Sequence, residues 1–266
     1  MIRSLPRRLA ATSGALLLAL TATSCGGATG TGDSAGDAGG SAEESTLIVF
    51  AAASLQEPFE QLGEEFESTH EGVSVEFNFG GSSGLVTQIQ EGAPADVFAS
   101  ANEANMTKLV DADLHGAEPV DFATNTLMIA VPAGNPAGVS GLSSLTEEGI
   151  DLVMCAPEVP CGAATETVEE RAGLEFTPVS EEQSVTDVLN KVTTGEADAG
   201  LVYVTDVLMA GDDVEGIEFP ESDSAVNTYP IATVAGSEQA ELGQEFIDLV
   251  TGEDGQAVLA EHGFQP

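Results

Sequence analysis

Basic residues are scarce in this sequence. Its 266 residues include six lysines and arginines against 45 aspartates and glutamates, a formal net charge of −39 at pH 7. Arg3, Arg7 and Arg8 precede an N-terminal apolar stretch, and a single arginine, Arg171, follows it. Such a charge excludes nucleic acid as a partner by repulsion. The lone arginine argues against an anion held by guanidinium side chains.

Metal-binding and aromatic side chains are also few. The three histidines, His70, His115 and His262, are far apart in the sequence, so we expect surface positions rather than metal ligation. There is no tryptophan, and the only tyrosines are Tyr203 and Tyr229. The small number of tyrosines argues against a ferric-ion site, which would need clustered tyrosines and a carboxylate as ligands.

The three cysteines divide into a pair and a single residue. Cys155 and Cys161 flank five residues in "MCAPEVPCG". In an exported protein such a pair predicts a disulfide that closes a small loop, because a zinc site would need further ligands at suitable spacing. Cys25 stands alone at the end of "ATSC".

Residues 1–25 predict a secretory signal, since a basic segment precedes an apolar stretch too short for a membrane span. "ATSC" resembles a lipobox, so we expect Cys25 to be the lipid-bearing first residue of the mature chain. An ordinary signal cleaved elsewhere is the alternative.

Residues 26–45, rich in Gly, Ser, Ala and acidic residues, predict a flexible tether. Without the signal the chain keeps three basic residues against 45 acidic ones, a formal charge of −42.

Strand-like and helix-like segments alternate after the tether. "LIVFAAA", "VSVEFNF" and "ADVFAS" predict strands, each followed by a helix, and the first helix carries Leu55, Phe59, Leu62 and Phe66 on one face. "TLMIAVP" predicts a further strand. The order of these segments predicts a parallel sheet covered by helices.

A second set of segments runs from "DLVMCAP" to "AGLVYVT", with "FTPVS" as a strand and helices near 165–171 and at 185–193. "YPIATVAG" and helices at 238–250 and 255–262 close the chain. We therefore predict an α/β protein of two lobes, each a mainly parallel sheet flanked by helices. The first lobe would comprise residues 46–127 and 232–266, and the second residues 128–231.

Small and hydroxyl-bearing residues recur where strands end and helices begin. "VFAAASL" ends with Ser54, and "FNFGGSSG" brings Ser82 and Ser83 after two glycines. "VPCGAATETV", "EEQSVTDV" and "GLVYVTD" repeat the pattern. Each junction alone is as well explained by helix capping. Together they place hydroxyls and helix-start amides, with no base, where parallel sheets bind ligands.

This donor set fits an oxyanion. Phosphate near neutral pH carries a proton and needs an acceptor, whereas molybdate, tungstate and sulfate carry none. An acidic protein can bind such a dianion in a closed cleft, because its surface charge is screened within about 10 Å at ordinary salt.

The segments "VFAAASL", "SSGLVTQIQEGAPADVFASA" and "LAEHGF", with the strand end "GLVY", resemble the molybdate-binding proteins of bacterial ABC importers over residues 47–266. The resemblance implies the type II periplasmic-binding-protein fold, with the oxyanion between the lobes, no cofactor and no enzymatic activity. It also implies an extracytoplasmic monomer that delivers molybdate, and by extension tungstate, to a membrane permease. The ligand-binding residues it implies are Ser54, Ser82 with Ser83 as a fallback, the amides of Cys161 and Val185, and the hydroxyl of Tyr203.

Three alternatives remain open. A sulfate- or thiosulfate-binding protein of the same fold would use the same donors, and cavity size would separate the two. A serine hydrolase would use Ser54 as its nucleophile, but the sequence has no G-x-S-x-G motif and no histidine near a predicted strand end. A ferric-ion binder is disfavoured by the tyrosine count.

Overall fold

The computed structural model describes residues 45–266. Its strands are β1 (Ser45–Ala52), β2 (Val73–Gly80), β3 (Val97–Ala99), β4 (Val120–Asn125), β5 (Leu127–Pro132), β6 (Leu152–Cys155), β7 (Ser180–Glu182), β8 (Ala199–Tyr203), β9 (Val214–Ile217) and β10 (Asn227–Thr233). Its α-helices are α1 (Gln56–Thr69), α2 (Ser82–Gln90), α3 (Glu103–Asp111), α4 (Pro160–Ala172), α5 (Val185–Thr193), α6 (Val204–Ala210), α7 (Ala240–Thr251) and α8 (Glu253–Glu261). Short 3-10 turns include Ala53–Leu55 before α1 and Pro220–Ser224 before β10.

The predicted signal, Cys25 and tether residues 26–44 lie outside the described range. Ser45, which we assigned to the tether, is instead the first residue of β1 and pairs with Val73 of β2. None of the helices within residues 45–266 is long and apolar enough to cross a membrane.

The strands form two five-stranded sheets. The first has the order β2-β1-β3-β10-β4, with β1 parallel to both neighbours and β10 antiparallel to both of its own. The second has the order β7-β6-β8-β5-β9, with β6 parallel to its neighbours and β5 antiparallel to its own. In each sheet four of the five strands therefore point the same way, as predicted. We call the structure around each sheet a lobe.

The chain passes from the first sheet to the second at Thr126, between β4 and β5, and returns between β9 and β10. At the first passage Asn125 Nδ2 donates to Thr205 Oγ1 at 2.9 Å, which ties the end of β4 to α6. The division at residues 127/128 and 231/232 stays a prediction. All of β10, from Asn227, belongs to the first sheet.

Three segments differ from the sequence prediction. The strand predicted at "FTPVS" is wrong, because Pro178 cannot donate to a ladder and pairing with β6 begins only at Ser180. Strands β4 and β9 were not predicted. Val120 and Asp121 at the start of β4 are exposed, and β9 is a four-residue edge strand that contains Gly216, so neither shows a clear alternation.

The amphipathic pattern of α1 is confirmed. Leu55, Phe59, Leu62 and Phe66 are all buried, and the two phenylalanine rings meet Phe246 of α7 edge-to-face with centroids 5.8 and 5.6 Å apart. This packing anchors α1 on the first sheet and so fixes the turn that precedes it. The second lobe has its own apolar cluster around β5, β6 and β8, which Ala53 joins from the first lobe.

Candidate functional site

A small cavity lies where the strand ends of both lobes meet. The space between its lining atoms, together with the opening to solvent, is about 200 Å³. The first lobe lines it with small residues and hydroxyls: Ala52, Ala53, Ser54, Gly80, Gly81, Ser82 and Ala101. The second lobe contributes Val159, Pro160, Cys161, Val185 and Tyr203. All five residues implied by the resemblance are therefore brought together at one cavity. Ser83 is buried but is not among the lining residues, so the fallback lies outside the cavity.

Helix starts supply backbone donors to this cavity. Ser82 and Val185 are the first residues of α2 and α5, and Cys161 is the second residue of α4. The first amides of a helix have no acceptor within the helix and carry a partial positive charge. Ser184 is the N-cap residue of α5, and its side-chain oxygen accepts a hydrogen bond from the amide of Asp187 at 3.2 Å. The amide of Val185 is not used in this cap.

The hydroxyl of Tyr203 is the clearest sign of a ligand. Tyr203 is 1% exposed and lines the cavity, yet its hydroxyl makes no hydrogen bond of normal length and angle within residues 45–266, although the hydroxyl of Tyr229 lies close to it. Burial, with Tyr229 and Asp206 nearby, raises its pKa well above the ordinary value, so the hydroxyl is a neutral donor. A buried polar group without a partner costs about 1–3 kcal/mol, and such groups call for an explanation. A bound acceptor would provide one.

The two serine hydroxyls are held in place by protein groups. The Oγ of Ser82 accepts from the amide of Ala101 at 3.0 Å, so its own proton stays available for a ligand. The Oγ of Ser54 lies 2.9 Å from the hydroxyl of Tyr229, which is fully buried. If Tyr229 donates in that bond, the Ser54 proton is likewise available. Sequence reasoning missed Tyr229 because 175 residues separate the two partners.

No basic side chain is among the residues that line the cavity. Lys191 instead contacts Glu182, and its hydrogen bond holds the pKa of that carboxyl below the ordinary value. Lys108 donates to Asn105 Oδ1 at 2.8 Å. The negative charge of a bound anion would therefore be stabilised by the dipoles of neutral hydroxyls and amides.

Asp206 is a buried carboxyl near the cavity that sequence reasoning also missed. It is 1% exposed, and its Oδ2 accepts from the amide of Tyr203 at 2.7 Å. Burial raises its pKa to about 7, although the hydrogen bond from Tyr203 acts in the opposite direction. At neutral pH this carboxyl is therefore partly protonated, which limits the negative charge beside the cavity.

The loop that carries Cys161 is tightly constrained. In the structure a disulfide joins Cys155 to Cys161. A Cβ on Gly162 would lie 2.0 Å from the carbonyl oxygen of Ala156, so the loop passes against its own backbone there. The disulfide and this close approach together fix the amide of Cys161 relative to β6.

The geometry disfavours catalysis and metal binding. Ser54 contacts Tyr229, whose pKa is raised by burial, so it has no general base for a nucleophilic role. No cluster of three or more His, Cys, Asp or Glu side chains capable of holding a metal occurs within residues 45–266. What the cavity offers is a set of neutral donors from two lobes, suited to a small anion that carries no proton.

Comparisons with known proteins place the chain among solute binders. A family model described as "Bacterial extracellular solute-binding protein" matches residues 47–265. The molybdate-binding protein ModA of Mycobacterium tuberculosis is 48% identical over 219 residues, 82% of this chain and 84% of that protein. A sulfate-binding protein of Synechococcus elongatus is more distant, at 25% identity over 281 residues, 93% of this chain and 79% of that protein.

A solved structure matches the fold. The periplasmic molybdate-binding protein of Azotobacter vinelandii superposes with a TM-score of 0.72 and 21% identity, covering 83% of this chain and 99% of that chain. At this identity the likeness shows the fold alone. The predicted two-lobed fold of periplasmic binding proteins is confirmed by it.

Proposed function

Because the chain belongs to the family of bacterial extracellular solute-binding proteins, we propose that it captures molybdate in the interlobe cavity and delivers it to an ABC permease. Membership of this family confirms that the chain is a transport component and not an enzyme. The oxyanion is its cargo, and no cofactor takes part. The single observation that carries the proposal is the buried hydroxyl of Tyr203, a residue that lines the cavity, because this hydroxyl has no hydrogen-bond partner of normal geometry within residues 45–266.

The donor set supports a fully deprotonated tetrahedral anion. Ser82 and Tyr203 offer hydroxyl protons, and Ser54 does so when Tyr229 donates to it. Cys161 and Val185 offer helix-start amides. Every one of these groups donates. A protonated ligand such as hydrogen phosphate would bring its own donor, and one of these hydroxyls would have to accept from it instead of donating to the anion, so a donor to the ligand would be lost. Molybdate and tungstate share charge and shape, so we propose both as ligands.

A titration of the ligand-free protein with four oxyanions tests the proposal. Tyr203 and Tyr229 are the only tyrosines and there is no tryptophan, so intrinsic tyrosine fluorescence reports on the cavity directly. Molybdate and tungstate should bind, and at a thousandfold excess over Kd they should stabilise the fold by about 4 kcal/mol, raising the melting temperature by several degrees. Sulfate should act weakly and phosphate not at all. If sulfate outcompetes molybdate, the assignment moves to sulfate and the site stays.

Adjacent serines provide a matched pair of variants for the same titration. Ser82→Ala removes a cavity hydroxyl and should weaken molybdate binding about tenfold to a hundredfold, the loss expected for one hydrogen bond to a charged oxygen. Ser83→Ala removes the neighbouring hydroxyl, which does not line the cavity, and should leave affinity unchanged. Equal effects of the two substitutions would contradict the assignment of Ser82.

The family description supports an extracytoplasmic location. We propose further that lipid on Cys25 anchors the mature chain, as a monomer, to the outer face of the cell membrane. The motif "ATSC" and the Gly-rich residues after it support this proposal. Intact-mass analysis of the membrane fraction should find diacylglycerol on Cys25, and a soluble mature form that starts elsewhere would rule it out.

A further inference from the structure

Gly81 lies in direct contact with the opposite lobe. It precedes α2 in the first lobe, and a Cβ built on it would sit 2.0 Å from the carbonyl oxygen of Gln183 in the second. The carbonyl carbon of Gln183 would lie 3.2 Å away and Val159 Cγ1, also in the second lobe, 3.4 Å away. Real Cβ atoms essentially never come within 3.0 Å of another heavy atom. The obstacle is a backbone oxygen, so no side-chain rotation can relieve it, and the two lobes would have to separate by about 1 Å or more.

The local backbone does not require glycine at this position. Gly81 has φ −65° and ψ 132°, an extended conformation that any residue adopts. An alanine there would meet no steric conflict within the first lobe among the nearest atoms, which all belong to the second. The need for glycine therefore arises only when the lobes are together.

This contact adjoins the proposed ligand donors on both sides. Gly81 is followed directly by Ser82, and Gln183 comes two residues before Val185. A separation of about 1 Å at this point would stretch hydrogen bonds of about 2.9 Å beyond the 3.2 Å at which good N–H···O bonds end. The donors of the two lobes would then no longer reach one ligand together.

We infer that Gly81 is a positioning residue for ligand binding, because its missing side chain lets the lobes close to the distance at which both donor sets reach one oxyanion. The inference rests on the proposed function, since it concerns the same cavity. Gly81 therefore controls how closely the two lobes approach each other, although it makes no hydrogen bond to the ligand itself.

Two nearby positions provide matched controls. Gly84 lies in α2, three residues on, and a Cβ there would meet nothing within 4 Å. Gly84→Ala therefore adds the same methyl group to the same segment without touching the second lobe. Gln183→Ala removes an exposed side chain but keeps the carbonyl oxygen that Gly81 contacts.

The experiment titrates ligand-free wild type, Gly81→Ala, Gly84→Ala and Gln183→Ala with molybdate, and measures small-angle X-ray scattering with and without it. Gly81→Ala should bind at least about tenfold more weakly, the effect of losing one hydrogen bond to a charged oxygen. It should also contract less than wild type does when molybdate is added at saturating concentration. The two controls should bind within about twofold of wild type, and all four proteins should fold without ligand.

The possible results separate the two proposals. Wild type that binds molybdate while Gly81→Ala binds equally well overturns this inference and leaves the proposed function standing. A Gly81→Ala variant that does not fold also overturns it, because the glycine would then serve the fold and not closure. If wild type binds sulfate and not molybdate, the proposed function fails, and the same four proteins test the inference with sulfate.

Discussion

Replacing Tyr203 by phenylalanine should weaken ligand binding without destabilising the ligand-free protein. The hydroxyl it removes is buried and makes no hydrogen bond of normal geometry to the part of the chain that the structure describes. The ring, whose centroid lies 6.2 Å from that of Tyr229, is retained. A hydroxyl that donates to a charged oxygen contributes about 1.5–3 kcal/mol, so the Kd should rise about tenfold to a hundredfold. Since no protein hydrogen bond is lost, the free energy of unfolding without ligand should stay constant or rise by up to about 1 kcal/mol.

Tyr229→Phe is the natural control, because its hydroxyl is equally buried but has a partner. The substitution breaks the 2.9 Å bond to Ser54 and should cost about 0.5–1.5 kcal/mol of stability without ligand. For a chain of this size 1 kcal/mol shifts the melting temperature by about 2–4 °C, which thermal unfolding resolves. Calorimetric titration with molybdate measures the affinities. If Tyr203→Phe keeps wild-type affinity, or loses as much stability as Tyr229→Phe, the reasoning about the unpaired hydroxyl is wrong.

Two further predictions concern Asp206 and the disulfide. The folded pKa of Asp206, about 7, lies above its ordinary 3.8, so its contribution to stability is complete below pH 3.8 and is lost as the pH rises through 7. Asp206→Asn should therefore gain about 2–3 kcal/mol relative to wild type between pH 5 and pH 8 in urea unfolding, and a constant difference would refute this. Thiol labelling of the denatured, unreduced protein should find neither Cys155 nor Cys161 free. Reduction should cost about 2 kcal/mol of stability and should also weaken molybdate binding through Cys161.

The sequence predicted those parts of the site that depend on residues close together in the chain, such as helix caps and strand ends. Helix α5 begins and ends where we predicted, because Ser184 caps it through the amide of Asp187 and the apolar positions repeat at helical spacing. The strand-end serines Ser54 and Ser82 were visible for a similar reason, since small residues between a strand and a helix leave a recognisable pattern. Where the pattern is short or mixed, as in β4 and β9, the prediction failed.

The remaining parts depend on tertiary contacts that no local pattern carries. Tyr229 holds Ser54 from a strand 175 residues away, and that strand enters the first sheet only because the chain returns from the second lobe. Asp206 reads in the sequence as an ordinary first-turn acid of a helix, and its raised pKa follows from burial that arises only in the folded structure. Gly81 likewise reads as a flexible junction until Gln183 is placed against it.

Selectivity at this cavity must come from protonation state and from the distance between the lobes. Its donors are neutral hydroxyls and amides, so they favour a ligand that brings no proton of its own, which favours molybdate over hydrogen phosphate. The same donors cannot separate molybdate from sulfate, because the two anions carry equal charge and no proton. Their difference in size can register only in the spacing of the donors, which includes the span between Ser82 on one lobe and Val185 on the other. The contact between Gly81 and Gln183 sets the lower limit of that span, so discrimination by size is determined at the seam between the lobes.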